Sequence, residues 1–374
     1  IIIRPPITKF DMSNDPKQPK KLELTEPAPR KLEEGGEGAS LPVSIELNQK
    51  RSQHNQNFEN SLRQARIELI KNIQQKRGSK VFVFYSHDTL DAQHAEIFFE
   101  LLQEVGKQEK LDLFLLSPGG FADQAFNMSR WCRQYAKQFN VIIPYYAKSA
   151  ATLLSLGADT LLMGPSSELG PIDPQIRIPD EYGRTMQVSA LSIKDALKVI
   201  EGLTEDNQEK ALKYMPLIEK IDLKVLGQYD RAIQSAKQYA SDLLHMSGLL
   251  KDKDVEETDV NDSKKKVPKH KNIAHQLTEG YYSHGYAIGT DKALELGFNV
   301  VCPGNDGFDP EVWKSVWRLH KLYDDMMRNN RNERLLTENL IEYRQIMTVL
   351  ETDTFSVPIE KNFIKDLSQR YGKK

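Results

Sequence analysis

Ser149 is the side chain whose type and position most directly suggest covalent chemistry. It follows an apolar run at residues 141–144, lies directly after Lys148 and precedes the small residues Ala150 and Ala151. A hydroxyl at a helix start lies at the positive end of the helix dipole, which favours a developing oxyanion. Serine is also a favoured N-cap residue. Its position therefore leaves two interpretations open, a nucleophile and a helix cap.

Gly119 and Gly120 form the second feature with chemical potential. They follow Ser117 and Pro118 at the end of the apolar run at residues 111–116. A glycine turn between a strand and a helix presents backbone N–H groups at the helix start, where an anion can bind. Such groups could hold the oxyanion of a tetrahedral intermediate. The alternative is a tight turn that requires positive φ.

Three apolar runs must position these groups. They cover residues 111–116, 141–144 and 160–163, and each is followed by small residues. Continuous apolar runs without alternation are typical of strands buried on both faces of a parallel sheet. Open α/β sheets bind ligands at the carboxyl ends of their strands. We therefore expect the chemistry at the turns that follow these runs.

The rest of the pattern alternates strands and helices, which predicts an α/β fold. A further strand is predicted at residues 80–85, with helices at residues 57–75, 91–106, 121–139 and 150–156. Beyond residue 192 the chain reads as mainly helical, with helices at residues 192–203, 205–221 and 223–244. Residues 251–271 contain few apolar side chains and are interpreted as a flexible loop. Residues 281–301 are interpreted as strand, turn, helix and strand, and residues 309–372 as charged helices.

Composition suggests three regions within the 374 residues. Residues 1–53 are rich in Pro, Lys, Glu and Gly, and we expect an extended or disordered N-terminal arm, either without a role or binding a partner. Residues 54–305 hold the strand and helix pattern and form the predicted core domain. Residues 306–374 form a predicted helical C-terminal extension. The 28% of charged residues fits a chain that lies partly outside a core.

Charge and cysteine content argue against several functional classes. The formal net charge is −2, without the basic excess typical of nucleic-acid binding. Only two cysteines occur, Cys132 and Cys302, which cannot form a metal cluster and indicate no disulfide framework. No apolar run approaches the roughly 18–20 residues that a membrane-spanning helix needs. We expect a cytoplasmic protein without an integral membrane segment.

Three stretches carry a resemblance to a known family. SPGG, YAKSAATLLSLGAD and GPSSELGPIDPQ resemble the ClpP/crotonase superfamily. The match is closer to the serine dehydrogenase proteinase family, relatives of signal peptide peptidase A. LTEGYYSHGYAIGTDKALELGFNV is similar to that family's closing segment, and the resemblance covers roughly residues 60–305. It implies a spiral of βαβ units, a peptide or protein substrate, and self-association into rings or stacked trimers.

The resemblance also implies roles for single residues. Ser149 matches the family's nucleophile, and Gly120 with the Ala150 N–H matches its oxyanion hole, which the turn at Gly119 completes. The general base departs from the pattern, because the loop after the serine carries Asp173 where the Clp proteolytic subunit has its histidine. His284 lies near the place of that subunit's aspartate. We infer a set of Ser149, His284 and Asp173 with the two partners exchanged, which is permitted because a triad is defined by geometry.

Other bases stay open. A lysine base, as in signal peptide peptidases, must be desolvated so that its pKa falls, and Lys148 and Lys194 are the candidates. Glu168 could orient a base or cap a turn. His284 and Asp173 could equally be turn residues with structural roles.

We expect a serine peptidase that acts through a Ser149 acyl-enzyme, with neither a metal nor an organic cofactor. Two alternatives belong to other classes. One is a crotonase-type acyl-CoA enzyme, in which the same oxyanion hole holds a thioester enolate. The other is a catalytically inactive assembly scaffold.

Overall fold

The computed structural model describes residues 43–179, 182, 184–204, 223–259, 262–304, 308–329, 333–337 and 340–366. The chain divides into one unit of residues 1–55 and a main unit of residues 56–374. Within the described residues, no helix is both long enough and apolar enough to cross a membrane. The predicted arm lies mostly outside the described residues, and so does the predicted helix at residues 205–221.

The helices follow the order of the chain. They are α1 (Val43–Arg77), α2 (Ala92–Val105), α3 (Ala122–Tyr135), α4 (Ala150–Ser155), α5 (Ala190–Thr204), α6 (Leu223–Met246), α7 (Lys269–Glu279), α8 (Thr290–Glu295) and α9 (Pro310–Asn329). The predicted helices between residues 57 and 156 are present with shifted ends. α1 begins at Val43, so the last part of the predicted arm is helical.

Strands are interleaved with these helices. They are β1 (Lys80–Ser86), β2 (Gln108–Leu116), β3 (Ala136–Ile143), β4 (Tyr146–Ala147), β5 (Thr160–Met163), β6 (Glu168–Leu169), β7 (Gln175–Pro179), β8 (Thr185–Ser189), β9 (Glu256–Thr258), β10 (Lys266–Pro268), β11 (Val300–Val301), β12 (Glu333–Thr337), β13 (Leu340–Glu351) and β14 (Ser356–Asp366).

The main sheet has the order β11-β5-β3-β2-β1-β13-β12, and β14 pairs with β13. The five strands from β11 to β1 are parallel to one another, whereas β13 is antiparallel to β1. The predicted α/β fold is confirmed. The final six residues of β2 are all buried, as the unbroken apolar run predicts for a strand covered on both faces.

Local sequence explains how the helices cover this sheet. Asp91 caps α2 by accepting the backbone N–H of His94, and Gly106 ends the helix at a φ of 70°. Phe98 on the buried face of α2 packs on Phe82 of β1, with ring centroids 4.8 Å apart. The spacing of the apolar residues in α2 therefore determines which face contacts the sheet.

The helical interpretation of residues 309–372 is right for α9 and wrong beyond it. β12, β13 and β14 occupy most of the remaining described chain, and β13 extends the main sheet through β1. Thr348, Val349 and Leu350 are buried there. The edge of β1 would otherwise leave backbone donors and acceptors unpaired, and pairing with β13 satisfies them. Charge density concealed this role, because the strand is defined by a distant partner.

Two shorter predictions also need correction. The segment 251–271 is not wholly a loop, because β9 and β10 form a hairpin and α7 begins at Lys269. The predicted first strand of residues 281–301 is reduced to one bridge between Ile288 and Leu169, whereas the following helix and strand are present as α8 and β11. The hairpin of β7 and β8 was not predicted.

Candidate active site

Ser149 lies on a strained turn between β4 and α4. Its φ is 51° and its ψ is −117°, and it is the one non-glycine residue with positive φ in the described chain. Such a conformation costs of order 1–3 kcal/mol and persists only when the surroundings impose it. The side chain is half-buried and makes no capping hydrogen bond. The geometry thus favours a presented hydroxyl over a helix cap.

Hydrogen bonds around the turn hold this conformation. The Lys148 N–H donates to Ser117 O at 3.0 Å, which joins the end of β2 to the Ser149 turn. Thr152 Oγ1 donates to Ala147 O at 2.6 Å and accepts the Gly170 N–H at 2.9 Å. A single threonine in α4 therefore links the residues before and after the Ser149 turn.

The glycine turn packs directly against Ser149. Gly119 has a φ of 96°, and a Cβ there would lie 2.8 Å from Ser149 Cβ and 2.9 Å from Ala150 N. Its N–H donates to Ser117 Oγ at 3.1 Å, so Gly119 contributes close approach rather than a donor. The N–H groups of Gly120 and Ala150 have no acceptor within the described part of the chain. Both are available to an oxyanion.

Leu90 holds the turn from outside. Its N–H donates to Gly119 O at 2.8 Å, and its carbonyl accepts the Phe121 N–H at 2.9 Å. A Cβ on Gly120 would lie 2.1 Å from Leu90 O, so a glycine is required here too. Sequence reasoning missed Leu90, whose role is carried by its backbone and leaves no mark on residue type.

His284 and Asp173 form a hydrogen-bonded pair. His284 Nδ1 lies 2.7 Å from Asp173 Oδ1, and the other carboxylate oxygen accepts from Ser189 Oγ at 2.8 Å and Gln175 Nε2 at 2.7 Å. Burial of Asp173 favours the neutral acid, but the hydrogen bonds from His284 and Ser189 outweigh it and lower the pKa of Asp173. Asp173 is therefore a carboxylate at neutral pH. Ser189 and Gln175 had no signal in the sequence.

Backbone pairing fixes the platform that carries Asp173. The Leu169 N–H donates to Ile288 O at 2.9 Å, and the Ile288 N–H returns a bond to Leu169 O at 3.0 Å. The Ile172 N–H donates to Leu277 O at 2.9 Å. The segment after β6 is thereby joined to α7 and to the segment that carries His284, so the two side chains meet on a rigid support.

Lys148 connects the two halves of the site. Its ammonium lies 2.9 Å from Glu168 Oε1 and donates to Leu169 O at 3.1 Å and Tyr286 O at 3.4 Å. Tyr286 follows His284 by two residues, and Lys148 directly precedes Ser149. Acceptors of this kind favour a charged lysine, which cannot accept a proton. Lys194, the other lysine candidate, pairs with Glu279 at 2.7 Å.

The arrangement groups the candidate residues into two sets. One set is Ser149 with the glycine turn and the Ala150 N–H, and the other is His284 with Asp173. Ser149 Oγ makes no hydrogen bond with the described residues. Catalytic hydrogen bonds often tighten only when substrate is bound, so an open serine is compatible with chemistry. In chemical terms the site could supply a nucleophile, two oxyanion donors and a carboxylate-oriented imidazole.

The fold and this site together define a class, the α/β proteins with the elements of a serine hydrolase. The chain belongs to the ClpP-like SDH-type serine proteinase family, whose sequence profile matches residues 53–339. The serine dehydrogenase proteinase resemblance, and with it membership of the ClpP-like group, is confirmed. The narrower likeness to signal peptide peptidase A stays a prediction.

Relatives and solved structures were compared as well. The uncharacterized proteins MJ0137 and MJ1495 of Methanocaldococcus jannaschii are 24% and 25% identical to the chain, over 71% and 70% of it and 81% and 77% of their own lengths. The 1510-N membrane-bound stomatin-specific protease in complex with a substrate peptide is 14% identical, covers 61% of this chain and 76% of its own, and has a TM-score of 0.33. ClpP1 from Listeria monocytogenes is 12% identical, covers 64% and 98%, and has a TM-score of 0.34.

Proposed function

We propose that the protein is a serine peptidase that hydrolyses peptide bonds through an acyl-enzyme on Ser149. The observation that carries the proposal is the strained Ser149 turn packed against Gly119, with the Gly120 and Ala150 N–H groups beside it. Membership of a serine proteinase family supports it. Strain at a single non-glycine residue is characteristic of functional sites.

Each group has a role in this mechanism. Ser149 Oγ attacks the scissile carbonyl, and the Gly120 and Ala150 N–H groups stabilise the oxyanion. His284 takes the serine proton and delivers it to the leaving amine, while Asp173 fixes the ring tautomer and stabilises the imidazolium. Water then hydrolyses the acyl-enzyme by the reverse use of His284. Lys148 holds the segment of residues 281–288 against the serine turn.

A fluorophosphonate probe tests the nucleophile. We expect it to label Ser149, and we expect Ser149→Ala to abolish both labelling and hydrolysis of casein or a small ester. Ser263→Ala is the matched control, because Ser263 is exposed in a turn far along the chain and takes no part in the mechanism. If both proteins are inert while oligomers persist, the scaffold alternative is supported. Activity on an acyl-CoA without labelling supports the crotonase-type alternative.

A second experiment separates His284 from Lys148 as the base. We expect His284→Ala to reduce turnover strongly and added imidazole to restore part of it, because the small base can occupy the vacated space. Lys148→Met removes a positioning cation, so imidazole should give no rescue. Rescue of the lysine variant by a primary amine instead would assign the base to Lys148.

Two wider expectations belong with this proposal. Self-association would follow the habit that the family resemblance implies, and light scattering coupled to size-exclusion chromatography measures it. A cytoplasmic location would fit the low cysteine count, and fractionation of the source cells tests it.

A further inference from the structure

A cluster of two histidines and one aspartate lies outside the proposed active site. His245 stands at the end of α6, Asp254 on the following loop, and His270 in the first turn of α7. Each offers one potential ligand atom, and these atoms all lie within 4.8 Å of one another. Three separate pieces of chain converge here, which proximity in sequence alone does not explain.

Backbone hydrogen bonds hold the loop in this position. The His270 N–H donates to Lys253 O at 3.0 Å, and the Lys269 N–H donates to Val255 O at 2.9 Å. These two bonds lie on either side of Asp254. Its carboxylate is thus presented to the start of α7 by a fixed backbone, and the ligand set is largely arranged before a cation binds.

Ser241 orients the buried histidine. His270 Nδ1 lies 2.9 Å from Ser241 Oγ, which leaves Nε2 to act as a ligand. Ser241 lies one helical turn before His245 on α6, so a single helix face supplies one ligand and the group that orients another. Metal-bound histidines usually engage their second ring nitrogen in such a hydrogen bond.

The spacing of the exposed pair fits a small dication. His245 Nδ1 lies 3.1 Å from Asp254 Oδ1. Ligands about 2.0–2.1 Å from Zn²⁺ are separated by about 2.9 Å along an octahedral edge and about 3.4 Å along a tetrahedral edge. The observed separation lies between these values. Imidazole nitrogens select first-row transition metals over Mg²⁺ and Ca²⁺, which prefer oxygen ligands.

We propose that His245, Asp254 and His270 bind a first-row transition-metal dication, for which Zn²⁺ is the probe. Water would complete the coordination, since the side chains of His245 and Asp254 are 58% and 63% exposed. The ion would join the end of α6 to the start of α7. The nearby cations Lys253 and Lys271 oppose metal binding, although the Lys253 ammonium is engaged by Ser247 O at 3.0 Å. The site does not depend on the proposed peptidase activity.

Equilibrium dialysis against Zn²⁺ tests the proposal on chelator-treated, tag-free full-length protein. We expect one tightly held Zn²⁺ per chain and a rise in Tm with added Zn²⁺. His245→Ala and Asp254→Asn should each weaken binding by about tenfold or more and abolish the rise in Tm. Asp252→Asn is the matched control, because Asp252 is an exposed acid two residues from Asp254 that is not part of the cluster. It should bind as the wild type does.

Circular dichroism confirms that the variants are folded, which the exposure of both side chains leads us to expect. Equal Zn²⁺ affinity in wild type, His245→Ala and Asp254→Asn would overturn the proposal and place any bound ion elsewhere, for instance at His284. Absence of stoichiometric binding by the folded wild type would overturn it equally. Neither outcome bears on labelling of Ser149, so this test and the test of the nucleophile are separable.

Discussion

His284 Nδ1 lies 2.7 Å from Asp173 Oδ1, although 111 residues separate them in the chain. Asp173 is almost completely buried in the segment after β6, and His284 remains 35% exposed. A buried carboxylate that orients a partly exposed imidazole is the arrangement a general base needs. The pairing therefore gives the proposed mechanism its most direct test.

Asp173→Asn should reduce kcat/KM for an ester substrate by about 10³–10⁴-fold while leaving the fold intact. The amide keeps the size of the carboxylate but neither stabilises the imidazolium nor fixes the productive ring tautomer. Asp230→Asn, on the exposed face of α6, is the matched control and should retain full activity. Activity of Asp173→Asn close to that of the wild type would remove His284 and Asp173 from the mechanism.

The same variant reports on acid stability. Because the native pKa of Asp173 is lowered, its charge contributes stability that is complete above the unfolded-state pKa, about 3.9, and is lost as pH falls through the native value. The difference in unfolding free energy between wild type and Asp173→Asn should therefore shrink on acidification below about pH 4. Urea titrations at neutral and acidic pH measure this difference.

Much of the site could be predicted from local sequence. The apolar runs before Gly119 and Ser149 identified the strands, and the small residues after them identified the turns. Pairing of His284 with Asp173 followed from the family resemblance. Ser189, Gln175 and Leu90 could not be predicted, because they act through long-range contacts or through backbone atoms. β13 was missed for a related reason, since its partner β1 lies more than 250 residues earlier in the chain.

Gly119→Ala should impair both stability and activity. The residue has positive φ, and the new Cβ would also lie 2.5 Å from Lys148 O, so the Ser149 turn must shift. We expect a loss of at least about 2 kcal/mol in unfolding free energy and a large fall in turnover. Gly78→Ala is the matched control, because Gly78 has a φ of 58° but nothing within 4 Å of the added methyl.

The control should cost only about 1 kcal/mol and leave turnover unchanged, since only backbone strain is introduced. Denaturant unfolding and ester hydrolysis on the same preparations give both quantities. Equal effects of the two substitutions would show that the contact between Gly119 and the Ser149 turn has no particular importance.

Glu351→Gln should strongly destabilise the junction between β13 and the helices beside it. Glu351 accepts from Arg66 Nε at 2.9 Å and from Arg66 Nη2 at 3.3 Å, and the Tyr323 hydroxyl donates to it as well. All three side chains are buried. Neutralising the carboxylate leaves the guanidinium buried without its counter-charge, which costs about 3–5 kcal/mol.

The exposed pair of Lys76 and Asp309, 3.2 Å apart, provides the comparison for Glu351→Gln. Lys76→Met should change unfolding free energy by no more than about 1 kcal/mol, because water screens that pair. Urea denaturation measures both variants. A small effect for Glu351→Gln would show that the C-terminal strands contribute little to global stability.

His320 should make stability depend on pH in the mildly acidic range. Burial lowers its pKa to about 4, and this outweighs the attraction of Asp324. The unfolded histidine titrates near 6.5, so the unfolded state binds more protons between these values. Unfolding free energy should accordingly fall as pH drops from about 6.5 towards 4, by about 3 kcal/mol at most from this residue.

His320→Gln should flatten this dependence, because glutamine does not titrate. Tyr85→Phe is the matched control: it removes the hydroxyl that lies 2.9 Å from His320 Nδ1 but keeps the titrating ring. It should lower stability by a similar amount at every pH and preserve the slope. Urea unfolding at pH 7 and pH 5 separates the two behaviours. An unchanged slope in His320→Gln would assign the acid sensitivity to other buried histidines, such as His270, whose pKa burial also lowers.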